Sequence, residues 1–450
     1  MASARQSVID MTSGAIHPMI LGFALPLIAG NLFQQLYNTV DCVIVGNCVG
    51  KEALAAIGST SSLINTVIGF FMGLSAGGGV VVSQLFGRHD IARVRATIHT
   101  MVLCGILAGI AVSFIGVAAA PALLRLMATP DDVFPQSMAY VRVYFYGTAF
   151  VLLYNVCSGV LRALGDSWRP LYFLIASSLV NVALDLLFVL VLRWGITGVA
   201  VATVVSQLVA MLLVLAVMVR SRECYRLSLS ELRVDRQALV RVLRQGVPGG
   251  LQMAVTAFSN VFVNGYINRF GSSAMAGWSS FNKIDQVSLL PIQSVSLAAT
   301  TFVGQNFGAG KLARAREGVR TSFQLALLFV AMLICLFVFL PRPMVALFNR
   351  DESVLYYGAY FLRVCAPFYL FRMLNQIFAG ALRGFGMAGT PTVVLLGSFV
   401  VFRQLYLFVS TRLTADFLPV SLAYPAGWFL CGILMSLCYA HAVRKYERGA

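Results

Sequence analysis

The chain is built along its whole length from apolar stretches of about 20 residues or more, each long enough to cross a hydrocarbon core of about 30 Å, and no other feature constrains its fold as much. The predicted spans are 16–46, 54–84, 96–119, 136–164, 170–192, 196–219, 245–269, 273–306, 318–340, 354–381, 390–411 and 417–441. Only 11% of the 450 residues are charged, against roughly 25% in a soluble domain. The sequence therefore predicts an all-α integral membrane protein of about twelve transmembrane helices, with no soluble domain between them. The first 15 residues lack the basic start and cleavage site of a signal peptide, so the first span is expected to be retained.

A net charge of +16 could indicate a nucleic-acid partner, but the basic residues sort by loop instead of forming one patch. Alternate connections are rich in Arg and Lys: Arg88, Arg93 and Arg95, then Arg162 and Arg169, Arg220 to Arg244, Lys311 to Arg320, and Arg444, Lys445 and Arg448. Positive charge marks the cytoplasmic side, so both termini are expected there, and no nucleic-acid partner is expected.

Sliding the chain against itself by 221 residues lays Ser83-Gln-Leu-Phe-Gly-Arg-His-Asp-Ile-Ala-Arg-Val-Arg95 over Gly304-Gln-Asn-Phe-Gly-Ala-Gly-Lys-Leu-Ala-Arg-Ala-Arg316. The same shift lays Gly159 to Gly165 over Gly380 to Gly386 and Pro170 over Pro391, while Pro26 pairs with Pro248 within one residue of it. Each half then holds six spans in the same orientation, a parallel repeat of the kind found in transporters. The predicted organisation is an N-terminal six-helix lobe (1–220), a cytoplasmic linker (221–244) that forms an amphipathic surface helix, and a C-terminal six-helix lobe (245–450).

Two motif matches carry no chemistry. Gly73-Leu-Ser-Ala-Gly77 fits a serine-hydrolase expression but lies inside an apolar span, where Gly69, Gly73 and Gly77 read as a small-residue packing stripe. Gly308-Ala-Gly-Lys311 resembles a phosphate loop, but Leu312 stands where Ser or Thr is required. The nine cysteines form no CxxC pair and read as packing residues. No cofactor is expected.

Of the 17 acidic residues, Asp41, Asp185 and Asp285 fall well inside spans. A carboxylate at mid-membrane costs about 2.5–3.5 kcal/mol on insertion scales, which calls for a functional role or a buried arginine partner; Arg142, Arg363, Arg372, Arg403 and Lys283 also fall in spans. Counted back from the outer ends of spans 1 and 5, Asp41 and Asp185 lie at similar depth, about 8–10 Å in at about 1.5 Å per residue. Asn181 is one turn from Asp185 on the same face, and Asn155 and Thr203 are placed to join them. Such a cluster binds a proton or Na⁺, because buried carboxylates need a positive partner. The 221-residue partners of Asp185 and Asn181 are Tyr406 and Phe402, so the second half lacks this cluster.

These residues resemble the multidrug and toxic compound extrusion (MATE) transporters, of bacterial or archaeal type, part of a superfamily that includes lipid-linked oligosaccharide flippases. The resemblance covers essentially the whole chain and is carried by Pro26 to Gly46, Gly73 to Gly87 with Ser83-Gln84, Gly159 to Pro170, and Val303 to Gly310. It implies two six-helix lobes forming a V, alternating access, and export of organic cations or amphipathic compounds in exchange for H⁺ or Na⁺. In one bacterial branch similar to this chain it implies coupling through Asp41, Asn181 and Asp185, with helix bending at Pro26. Another branch uses a seventh-span Glu for Na⁺; here the corresponding stretch has Gln252 and no acid.

The expected protein is thus a secondary-active efflux antiporter, not an enzyme, acting as a monomer in the cell membrane. Its only metal would be Na⁺ at Asp41, Asn181 and Asp185. A cavity for a cationic substrate is expected from Tyr37, Phe70, Met72, Met253, Phe258, Phe281 and Asp285, since aromatics hold cations and methionine adapts to varied shapes. One competing reading is a flippase of lipid-linked sugar precursors, for which the intramembrane arginines would form a basic cavity. The other, an intramembrane enzyme, lacks any nucleophile–base or metal constellation.

Overall fold

In the computed structural model the described residues are 9–127, 129–414 and 416–448, without the side chains of 51, 257, 258 and 261. Among them every regular element is helical. The α-helices are α1 (Ile16–Ile44), α2 (Lys51–Gly87), α3 (Ile91–Leu126), α4 (Phe134–Ala163), α5 (Trp168–Asp185), α6 (Gly195–Arg220), α7 (Arg236–Ile267) and α8 (Ser272–Gly308). The second half continues with α9 (Leu312–Phe339), α10 (Pro341–Ala346), α11 (Glu352–Cys365), α12 (Tyr369–Gly384), α13 (Gly389–Leu396), α14 (Arg403–Leu413), α15 (Phe417–Ser421) and α16 (Ala423–Arg448). Three π-helical segments, Val45–Val49, Leu186–Val191 and Gly397–Phe402, extend α1, extend α5 and join α13 to α14.

Among the described residues, eleven helical stretches are long and apolar enough to span a membrane. A twelfth, α7, has the length, 32 residues, but its interior carries Gln252, Ser259 and Asn260. It also starts at Arg236, inside the expected linker, because Arg236, Arg241 and Arg244 disguise its first turns as a polar connection. The rest of that connection is not a surface helix. Tyr225 and Leu227 are buried in the core, the Ser228 N–H donates to His99 Nε2 (3.1 Å), and Thr100 Oγ1 accepts from the Asp235 N–H (3.0 Å).

The 221-residue repeat is visible as repeated packing. Ser75 Oγ donates to the Asn155 carbonyl on the neighbouring helix (3.0 Å), and 221 residues on, Ser296 Oγ donates to the Gln376 carbonyl (2.6 Å). The same serines lie where a Cβ would project from Gly159 (2.7 Å) and Gly380 (2.6 Å), so only glycine lets each helix pair approach this closely. Gly165 and Gly386, which end α4 and α12, both hold left-handed φ angles, +90° and +80°, the conformation that glycine alone adopts without strain.

The glycine stripe of α2 is also accounted for. A Cβ on Gly73 would stand 2.4 Å from the Gly250 nitrogen, and one on Gly77 2.3 Å from Gly246 Cα. Two small-x-x-x-small stripes, on α2 and the first turns of α7, therefore meet backbone to backbone.

The described residues divide into two compact units. One holds Ile9, Asp10 and Ala29–Gly250; the other holds Met11–Ile28 and the chain from Leu251 onward. Besides the one between Asp10 and Met11, each boundary falls inside a helix, two residues past an internal proline: Pro26 in α1 and Pro248 in α7. In the second unit the Gln305-Asn-Phe-Gly308 copy of the repeated segment, which has Asn306 where the first copy has Leu85, grips the segment before α1. Gln305 Oε1 accepts from the Met11 N–H (2.9 Å), Asn306 Nδ2 donates to the Met11 carbonyl (3.1 Å), and Lys311 Nζ and Arg314 Nη2 donate to the carbonyls of Thr12 and Ser13 (both 2.9 Å).

Candidate functional site

In the first unit Asp41 lies on α1, one turn before a π-helical segment, and Asp185 is the last residue of α5 before another. A π turn widens the helix and re-aims neighbouring side chains, which is why such turns gather at functional sites. Asp185 is 0% exposed and Asn181, one turn earlier, 1%. Asp41 and Asp185 are neighbours whose charges act on each other. Both oxygens of Asp185, both polar atoms of the Asn181 side chain and Oδ1 of Asp41 are buried with no hydrogen-bond partner among the described residues. Buried polar groups are ordinarily satisfied; four of these five atoms are oxygens, which accept, and the fifth, Asn181 Nδ2, donates.

Asn155 and Thr203 are differently engaged. Asn155 Nδ2 donates to the Val151 carbonyl (2.8 Å) and Thr203 Oγ1 to the Val199 carbonyl (3.0 Å), each one turn back on its own helix. The tyrosines around the acids were not singled out by sequence, apart from Tyr37. Tyr37 and Tyr140 both feel the charges of Asp41 and Asp185, and Tyr154 stands near Tyr37. Tyr140 stacks on Tyr144 at 6.2 Å between ring centroids, and the Tyr154 hydroxyl donates to the Pro170 carbonyl (3.2 Å). The available signal was the run of tyrosines on α4, at 140, 144 and 154.

In the second unit Asp285 has the arginine partner that a structural role requires. It accepts from Arg372 Nη1 (2.5 Å) and from the Tyr369 hydroxyl, and the Arg372 guanidinium lies over the Trp428 ring at 4.4 Å. Phe281 is 1% exposed and stacks on Trp278 at 5.0 Å, so its faces are occupied by core packing. Of the other expected cavity residues, Met72 and Met253 are exposed (44% and 47%), while Tyr37 and Phe70 are half-buried. Phe258 lies outside the residues whose side chains are described. Arg142 and Arg363 are exposed, Arg372 is paired, and Arg403 is buried.

Asp166 lies in the turn between α4 and α5, at the opposite end of α5 from Asp185 and outside the spans. Burial pushes its carboxyl up from the ordinary value, while the backbone N–H and the charge of Arg169 pull partly back.

The comparison with known families follows the repeat. The MatE family model matches residues 26–187 and again 248–409, the two halves of the repeat. The chain belongs to the MatE family. It is a multi-pass membrane transporter and not an enzyme. The probable multidrug resistance protein YoeA of Bacillus subtilis is 30% identical over 436 residues, covering 95% of this chain and 94% of that one. The multidrug export protein MepA of Staphylococcus saprophyticus is 20% identical, covering 94% and 90%. Among solved structures, a MOP superfamily transporter from Pyrococcus furiosus superposes with TM-score 0.92 at 20% identity, covering 99% of this MatE chain and 100% of that one. At that identity the likeness shows the shared fold.

Proposed function

We propose that this MatE protein is a multidrug efflux antiporter that exports organic cations and amphipathic compounds in exchange for H⁺ or Na⁺. The observation that supports this reading is the Asp41–Asn181–Asp185 cluster of the first unit, in which Asn181 and Asp185 are buried, Asp41 is half-buried, and five polar atoms have no hydrogen-bond partner among the described residues. Two neighbouring carboxylates removed from water repel each other and each loses hydration worth several kcal/mol. A proton or a cation relieves both costs. When an ion from outside occupies the pair, the attraction for a cationic substrate disappears, so loading and release are coupled by competition. A one-for-one exchange of H⁺ for a monovalent cation is electroneutral and runs on the pH difference alone.

In this reading the six-helix lobes 1–220 and 245–450, joined by 221–244, alternate in access across the cell membrane. The protein acts as a monomer, both termini are cytoplasmic, and α1 bends at Pro26. Tyr37, Phe70 and Met72 of the first unit line the substrate path there, and Met253 serves it in the second. Asn155 and Thr203 shape the pocket without bonding the acids. The flippase reading is disfavoured by the fate of its arginines: Arg372 is neutralised by Asp285, which leaves Arg403 as the single buried arginine of the four without an acid, too little charge for a pyrophosphate.

The test is efflux of ethidium from proteoliposomes under separately imposed pH and Na⁺ gradients, comparing wild type with Asp41→Asn and Asp185→Asn. Efflux driven by an inward H⁺ gradient and lost in both variants supports proton coupling at this cluster. Drive by Na⁺ alone, with the same losses, makes it a Na⁺ site. Undiminished efflux in both variants overturns the assignment.

A further inference from the structure

Arg403 opens α14, directly after the π-helical segment Gly397–Phe402, and is 3% exposed. Its Nη2 donates to Ser259 Oγ (2.9 Å) and to Asn260 Oδ1 (2.8 Å), both on α7. Its guanidinium lies over the Tyr424 ring at 4.6 Å. No carboxylate pairs with it among the described residues, in contrast to Arg372, and its Nε–H is buried with no partner.

Two of its neutral neighbours, Ser259 and Asn260, have no acceptor capacity left to offer at these oxygens. Ser259 Oγ donates to the Phe399 carbonyl (3.1 Å) and accepts from Gln404 (3.0 Å) as well as from Arg403. Asn260 Oδ1 accepts from the Tyr424 hydroxyl (3.2 Å) as well as from Arg403. A hydroxyl oxygen and an amide oxygen each hold two lone pairs, so both are saturated. A guanidinium stays charged in any protein setting, so what Arg403 lacks is both a hydrogen-bond acceptor and a negative charge. A carboxylate supplies the two together, in a planar shape that matches the guanidinium edge.

We infer that Arg403, set on Ser259, Asn260 and Tyr424, is an anion-binding subsite of the second unit that takes a carboxylate of an amphipathic substrate. The single unpaired charge fits a monoanion. The aromatic surroundings, with Trp278 5.0 Å from Tyr424, fit a carboxylate carried on a ring system. This rests on the reading of the chain as an exporter of amphipathic compounds and deepens it by assigning the residue that holds a carboxylate of such a substrate.

The experiment uses a matched pair of dyes, tetramethylrhodamine with its free carboxylate and its methyl ester without one, with binding to the purified full-length protein in detergent followed by fluorescence anisotropy. The wild type is expected to bind the free acid about tenfold tighter than the ester, the scale of one charge-assisted contact. Arg403→Gln is expected to bring the free acid down to the level of the ester, and Arg403→Lys to keep part of the difference. Equal affinities in the wild type, or a tighter ester, overturn the proposal, and this comparison needs no variant to fold. Sodium acetate tells a free carboxylate from a tethered one: weaker free-acid binding with the ester unaffected shows that the subsite also takes small anions, while no effect beside a tighter free acid shows that it needs the tethered group. No ion gradient is involved and neither Asp41 nor Asp185 is altered, so failure here is separable from failure of the coupling site.

Discussion

The same six-helix plan is used twice in this molecule, and the two copies carry opposite charge in their interiors. In the first unit, Asp185 is buried and Asp41 half-buried, and neither forms an ion pair among the described residues. In the second, Arg372 is matched by Asp285 and Arg403 has no acid. The scaffold bonds are conserved between copies, as Ser75–Asn155 and Ser296–Gln376 show, so the divergence lies in the inward side chains. Even the π-helical turns follow this pattern, one directly after Asp185 and one directly before Arg403. A duplicated fold fixes the frame, and the ligand chemistry is free to differ on each side of it.

The sharpest way to break this contrast is through the acids. Asp185→Asn and Asp41→Asn should each reduce gradient-driven dye efflux by about tenfold or more, since a charge-assisted interaction is worth about 1.5–3 kcal/mol. The same kind of substitution should act oppositely on stability in the two units. Asp285→Asn strands Arg372 as an uncompensated buried charge and should cost about 3–5 kcal/mol, read as a lower melting temperature in detergent. Asp285→Asn combined with Arg372→Met should recover most of that loss. Asp185→Asn removes a carboxylate with no partner and should stabilise the protein by about 1 kcal/mol or more. Equal signs at positions 185 and 285 would mean that the charges of the two interiors do not differ as described.

The conserved frame gives the middle range of effects. Gly159→Ala and Gly380→Ala should each cost about 1–3 kcal/mol by overpacking against Ser75 and Ser296, and the two losses should agree closely. A marked inequality, measured by thermal melting, would show that the copies differ in backbone packing as well as in chemistry. The smallest effect belongs to Asp166. Burial holds its carboxyl above the ordinary value of about 3.9, so its contribution to stability is present below that pH and is lost as pH rises through the folded-state value. Asp166→Asn should flatten that part of the stability–pH curve, and an unchanged curve would assign the slope to other groups.

Much of this was legible from residues alone, for physical reasons. Hydrocarbon imposes long apolar runs, so the spans and the repeat stand out. A carboxylate within such a run is costly enough to draw attention to Asp41 and Asp185, and helical periodicity adds Asn181. The pairing of Asp285 was not readable, because Arg372 lies 87 residues away and four other span cations were equally available. Phe281 has the composition of a cavity wall, and only packing against Trp278 places it in the core. The start of α7 was missed because its arginines give the hydropathy of a loop while its glycines pack as a helix.

The unit boundaries inside α1 and α7 are reciprocal. Met11–Ile28 belongs with the second half of the chain, and the first turns of α7, through Gly250, with the first half. The two exchanged pieces are equivalents in the repeat. Neither half of the sequence is therefore by itself one of the compact units: each takes in the start of the other's first helix. A cut in the connection between the halves would leave both fragments without a helix start that their own unit packs.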